Sequence, residues 1–284
     1  MPYANLGDVK IYYEIYGSEY EVKLDHLVRR PTIVALHGGP GIDHTYYDVP
    51  FLKDAAQFAQ VIFIDQRGNG RSIDKNPDHW NLEQWSDDLG QFCEYLGLEK
   101  PFIYGCSMGG WVAMKYAAKF PSQPGGLLLV DTEAYLNIKA ILKSYEEKGG
   151  PRIAEIARRY LYEVSDETMQ DYFENCLPLC SQHPIPTEWL KRTILTPKVN
   201  THMKQHELLT FNLLHEIKLI EAPVLYLSNT TNPWHLLSVA QETVASMKTK
   251  VEFITIKNCG LIAMDAKEEG LNAIEQFLKR YSKE

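Results

Sequence analysis

Short apolar runs recur along the chain at residues 9–16, 32–37, 61–65, 101–106, 126–131, 224–228 and 251–256. Most are continuous rather than alternating, which suits strands covered on both faces, as in a parallel sheet. Helical spacing lies between them. Leu82, Trp85, Leu89, Phe92 and Leu96 recur at steps of three and four, so residues 81–97 read as an amphipathic helix with Asn81 as N-cap. Residues 108–120 read as a helix stopped by Pro121. Leu271, Ile274, Phe277, Leu278 and Tyr281 give a last helix its buried face. Alternating strands and helices predict an α/β fold with a doubly wound, mostly parallel sheet.

Residues 134–217 break this alternation: they are helix-rich and strand-poor, with breakers at Gly149-Gly150-Pro151, Pro184-Ile185-Pro186 and Pro197. The economical division is a core of residues 1–133 and 218–284, interrupted by a helical cap at 134–217.

Composition narrows the function classes. The 284 residues are 45% apolar and 23% charged, with a net charge of −8. An acidic balance without basic runs argues against a nucleic-acid partner. No apolar stretch reaches the roughly 18 residues of a membrane span. The first residues lack a basic segment followed by an apolar one, so no signal peptide is expected. Cysteines at 93, 106, 176, 180 and 259 are odd in number and widely spaced. They read as reduced thiols of a cytoplasmic protein rather than a disulfide framework. Cys176 and Cys180 lack the partners a zinc site needs, and His202 and His206 read as exposed; no metal or cofactor is expected.

The candidate chemistry centres on Gly105-Cys106-Ser107-Met108-Gly109-Gly110. This G-x-S-x-G segment follows an apolar strand and opens a helix, the setting of a nucleophile elbow. Ser107 is the candidate nucleophile, and an elbow serine needs a base to take its proton. His37-Gly38-Gly39-Pro40-Gly41 closes another apolar strand. The N–H groups of Gly39 and Met108 are candidate oxyanion donors. His37 reads as a hydrogen-bonded scaffold residue.

HGGPG at 37–41, DQRGNGRS at 65–72 and GCSMGG at 105–110 together resemble the α/β-hydrolase superfamily, and most closely its proline iminopeptidase (prolyl aminopeptidase)-like branch. The resemblance covers nearly the whole chain. It implies an eight-stranded sheet, a cap at 134–217, and a cofactor-free serine hydrolase of a small ester, amide or lactone. Ser107 would form an acyl-enzyme, with Gly39 and Met108 holding the oxyanion.

Two positions depart from the family. Its acid falls in a G-x-x-D-P turn, where this chain reads Asn229-Thr230-Thr231-Asn232-Pro233, so Asn232 stands at the acid position. Asp131 and Glu133, after residues 126–131, are alternative acids or else solvated loop carboxylates. The family's histidine follows a glycine, yet here Leu261 follows Gly260 and the base expected between them is absent. Either the histidine is deleted, or a modified residue is missing from the written sequence; the second would separate the Gly260 and Leu261 Cα atoms well beyond ~3.8 Å. His183, His202, His206, His215 and His235 are the other candidate bases, and none stands out. The competing functional reading is a catalytically impaired relative that binds a small ligand under its cap. Among cap aromatics, Tyr160, Tyr162, Tyr172 and Phe173 could wall an apolar pocket.

Overall fold

A computed structural model describes residues 2–46, 48–74, 76–163 and 165–282. Ten strands run in chain order: β1 (Tyr3–Asn5), β2 (Lys10–Tyr16), β3 (Tyr20–Lys23), β4 (His26–Arg29), β5 (Thr32–Leu36), β6 (Gln60–Ile64), β7 (Phe102–Cys106), β8 (Gly126–Val130), β9 (Val224–Asn229) and β10 (Val251–Ile256). The helices are α1 (Asp48–Leu52), α2 (Leu82–Tyr95), α3 (Met108–Lys119), α4 (Ile138–Gly149), α5 (Pro151–Tyr162), α6 (Asp166–Asn175), α7 (Thr187–Arg192), α8 (Pro197–His206), α9 (Leu237–Ser246), α10 (Ile262–Asp265) and α11 (Lys267–Tyr281). Eight strands form one sheet in the order β1-β2-β6-β5-β7-β8-β9-β10. From β6 to β10 every neighbour is parallel; β1 and β2 add an antiparallel edge.

The continuous apolar runs are explained by two cores, one on each face of the sheet. In β5, Val34 and Leu36 enter one core while Ile33 and Ala35 enter the other. In β8, Leu127 and Leu129 face one side, Leu128 and Val130 the opposite. Both faces are covered, so the period-2 alternation is present in space but invisible in the sequence. α2 is capped as its sequence predicts: the Asn81 side chain accepts from the Gln84 N–H at 2.8 Å. The small hairpin of β3 and β4 does not show in the sequence pattern, because its strands are only four residues long and largely exposed.

β8 and β9 pair directly, and between them runs the segment carrying α4 to α8. Its one bridge, Tyr135 with Asn212, closes the base of the insertion. The Thr196 N–H donates to the Gly41 carbonyl at 2.8 Å, and Asn200 Nδ2 donates to the Pro40 carbonyl at 3.1 Å. The helical insertion is thereby fastened over the loop that follows β5. Among the described residues, no helix is long and apolar enough to cross a membrane.

The tightest packing is where β7 turns into α3. A Cβ on Gly109 would sit 2.2 Å from the Leu36 carbonyl oxygen and 2.8 Å from that of His37, and one on Gly105 would sit 2.4 Å from the Gly109 oxygen. These are backbone atoms that cannot rotate aside. Gly109→Ala is therefore expected to destabilise the fold by about 1–3 kcal/mol. Gly90→Ala in α2 meets the Phe120 ring at 3.4 Å and the Tyr116 ring at 3.8 Å, ordinary van der Waals contacts. It is expected to stabilise by about 0.5–1 kcal/mol through the helix preference of alanine. Thermal or denaturant melts of the two variants should move in opposite directions.

Candidate active site

Ser107 caps α3 with φ 50° and ψ −121°, a backbone conformation unusual for a residue with a Cβ. Its N–H is shared between the carbonyls of Val130 and Asp131, at 3.2 and 3.1 Å. Its carbonyl accepts from Thr132 Oγ1 at 2.8 Å. The strained turn is thus held by the residues leaving β8. The serine hydroxyl has no hydrogen-bond partner among the described residues and faces a cavity lined by Ser107 itself, Gly39, Asn232, His235 and Leu261. Met108 opens α3, where the first N–H groups have no acceptor within the helix.

The loop at 37–41 is held by the DQRGNGRS segment. Gln66 Nε2 donates to the His37 carbonyl at 2.9 Å, and the Gln66 N–H donates to His37 Nε2 at 3.0 Å. With Nε2 accepting, Nδ1 carries the proton and donates to the Gly38 carbonyl at 2.6 Å. His37 is buried, both its nitrogens are occupied, and burial holds it below the usual imidazole range. This is the scaffold role its sequence context suggests. Asn69 Oδ1 accepts from the Gly41 N–H at 3.0 Å. Arg67 pairs with both oxygens of Asp88, at 2.7 and 2.8 Å, and with Asp8. Asp43, His44 and Asp65 bring possible metal-ligand atoms together. Their charges are already matched: Arg71 donates to Asp43 at 2.7 Å, and His44 Nδ1 lies 2.5 Å from Asp65.

Asn232 is buried, and both ends of its amide are used. Oδ1 accepts from the Trp234 N–H at 2.9 Å, and Nδ2 donates to the Gly260 carbonyl at 3.2 Å. Backbone partners have fixed polarity, so this orientation is unambiguous. The N–H groups of Gly260 and Leu261 both close on Asp265 Oδ2, at 2.8 and 3.1 Å. The turn is built around a carboxylate, with no imidazole in it. His183 also reaches Asp265, at 3.0 Å, but its side chain is 68% exposed and does not line the cavity.

The two alternative acids are not solvated loop carboxylates. Both are buried, each 2% exposed. Asp131 accepts from Asn229 Nδ2 at 2.8 Å and from the Ile262 N–H at 3.0 Å, which ties three loops together. Burial raises its carboxyl to about 6. Glu133 Oε2 lies 2.9 Å from His235 Nδ1. The sequence offered these two residues separately, 102 positions apart, and nothing local pairs them.

The cavity has a volume of about 140 Å³. Tyr160 and Tyr172, stacked at 4.0 Å, wall it together with Phe173 and Trp234. Tyr162 is exposed instead. No Asp, Glu, Lys or Arg is among the described lining residues.

A model of the alpha/beta hydrolase fold matches residues 31–175, about half of the chain. This chain belongs to the α/β-hydrolase-fold family. Its curated relatives include proline iminopeptidases of Clostridium botulinum, 36% identical over 45% of this chain and 39% of that one, and of Clostridioides difficile, 32% identical over 60% and 52%. The matched stretches thus span about half of those relatives or less. The crystal structure of a Mycobacterium smegmatis proline iminopeptidase superposes with a TM-score of 0.80 at 19% identity, covering 99% of this chain and 98% of that one. A thermophilic esterase from Thermogutta terrifontis gives 0.66 at 20% identity, covering 97% and 95%. At such identities these structures establish the shared fold.

Position 232, where the resemblance implies an acid, thus holds an amide that matches its surroundings. Asn232→Asp would set a carboxylate against the Gly260 carbonyl and remove a buried donor. It is expected to destabilise by about 1–3 kcal/mol and to leave hydrolytic activity no higher. Melting curves and ester hydrolysis of the variant check both halves.

Proposed function

We propose that this chain is a serine hydrolase of small, neutral esters, or of amides and lactones of similar size, acting through an acyl-enzyme on Ser107. The carrying observation is the Ser107 hydroxyl, on a strained elbow and without a hydrogen-bond partner among the described residues, at a cavity whose described lining includes no Asp, Glu, Lys or Arg. Gly39 and Met108 supply the N–H groups for the oxyanion. The α3 N-terminus adds its dipole at the point where negative charge develops.

In the first half-reaction Ser107 Oγ bonds to the substrate carbonyl carbon and loses its proton to a base. The tetrahedral intermediate collapses, and the alcohol leaves with that proton. Water then attacks the acyl carbon, and the acid departs as Ser107 regains its hydrogen. Ester and water give acid and alcohol, with no redox step.

The cavity argues for a neutral substrate. A substrate ammonium taken out of water needs a carboxylate partner, and the described lining offers none. A space of about 140 Å³ suits a short acyl chain or a single ring; an engineered cavity of about 150 Å³ holds benzene. In this respect the chain departs from what the names of its iminopeptidase relatives would suggest.

A fluorophosphonate probe is expected to label Ser107 stoichiometrically. Ser107→Ala should abolish labelling and lower hydrolysis of p-nitrophenyl butyrate by about 10³-fold or more. Folded protein that stays unlabelled would overturn the reading and leave a ligand-binding protein. For substrate class, kcat/KM for the butyrate ester is expected to exceed that for prolyl p-nitroanilide by at least about 10²-fold. The reverse preference would overturn the neutral-substrate assignment.

A further inference from the structure

Hydrolysis at Ser107 needs a proton acceptor, and the expected histidine loop contains no imidazole. We infer that His235, oriented by Glu133, is the general base of this site, a pair drawn from the ends of β9 and β8 in place of the histidine missing after Gly260. The inference rests on the serine-hydrolase reading above.

Three observations carry it. First, His235 is the one histidine among the described residues lining the cavity that Ser107 faces. Second, its nitrogens are already sorted. A carboxylate only accepts, so the 2.9 Å contact to Glu133 Oε2 places the neutral ring's proton on Nδ1 and its lone pair on Nε2. Nε2 makes no hydrogen bond to a described residue and is the atom free to face the cavity. Third, the two residues before Glu133 are tied to the nucleophile's backbone. The Ser107 N–H donates to the Asp131 carbonyl, Thr132 Oγ1 donates back to the Ser107 carbonyl, and Glu133 is the next residue. The imidazole and the carboxyl are both nearly enclosed, at 10% and 3% exposure. Glu133 Oε1 has no hydrogen-bond partner among the described residues. Such a carboxylate is stabilised when the ring beside it takes a proton.

The proton path then closes. His235 Nε2 accepts the Ser107 hydroxyl proton as Oγ bonds to the acyl carbon. It passes that proton to the leaving alkoxide, takes one from the attacking water, and returns it to Ser107 Oγ. Glu133 stays ionised and stabilises the imidazolium in each half-reaction. The charged groups facing His235 are Glu133 and Asp131. Their negative charge raises its pKa from 6.5 despite burial. The base works when neutral, so activity is lost as pH falls through that raised value.

The test compares the wild type with His235→Ala, His235→Asn and Glu133→Gln in fluorophosphonate labelling and p-nitrophenyl butyrate hydrolysis. Asn keeps a donor toward Glu133 and lacks Nε2, which separates the base from the fold if Ala unfolds the loop. Both His235 variants are expected to lose about 10²- to 10⁴-fold in kcat/KM, with added imidazole restoring part of the rate in His235→Ala. Glu133→Gln should lower kcat and move the acidic limb of the pH profile to lower pH, because the charge that raised it is gone. A labelled, active wild type whose His235→Asn variant labels and hydrolyses equally well would overturn this assignment alone. A wild type that neither labels nor hydrolyses would overturn the serine-hydrolase reading, and this inference with it.

Discussion

The close approach of α3 to the sheet governs this site. Side chains at 105 or 109 would collide with backbone, so glycine lets the helix start directly over β5 and β7. A Cβ on Gly110 would likewise strike the Thr132 side chain. A strand that turns into a helix within one residue leaves Ser107 in the left-handed region, its backbone groups aimed sideways toward β8. That direction has consequences beyond the elbow. It binds the serine to residues 130–132 and so brings whatever follows, here Glu133, to the same end of the sheet. The parallel strands deliver their C-terminal ends to this edge, where ligands of open α/β sheets characteristically bind.

Around this constraint most polar groups are committed to scaffolding. His37 spends both nitrogens on backbone. Arg67 is matched by Asp88 and Asp8, and Asp65 by His44 and Arg71. Asp131 holds the β9 and α10 loops together. Removing such buried partners costs more than the bonds contribute, since an orphaned group keeps its desolvation penalty. These groups are poor candidates for proton transfer because a role in catalysis would mean leaving their partners. His235 differs: one nitrogen anchors it and the other is free.

Much of this was legible in the sequence, because much of it is local. The strands, α2, α3, the elbow and the HGGPG loop each depend on neighbouring residues, and their spacing shows it. The face each strand residue takes was hidden, since burial on both sides erases the alternation. The β3–β4 hairpin has only four-residue strands, and its apolar residues Tyr20, Val22 and Leu27 are exposed rather than set on a buried face. Asp131 and Glu133 read as loop carboxylates because sequence cannot tell that the insertion and the β9 loop cover them. The Glu133–His235 pair is invisible for a deeper reason. Its members meet only because β8 and β9 are neighbours, while 93 residues of other structure intervene between Val130 and Val224.

The two departures from the pattern that the resemblance implies meet at one contact, Asn232 Nδ2 to the Gly260 carbonyl. A carboxylate buried at position 232 is tolerable when an imidazole shares its charge; without that ring it would face the Gly260 carbonyl as an unmatched anion. An amide satisfies the same loop with no charge, donating to Gly260 and accepting from Trp234. With no imidazole in this turn a carboxylate at 232 would have no charge partner there, and the amide suits the loop. It gives no evidence of a failed site by itself. What decides whether chemistry survives is whether another imidazole, with its own carboxylate, can serve Ser107 from a neighbouring strand end. β8 and β9 bring Glu133 and His235 together, and His235 lines the cavity that Ser107 also lines.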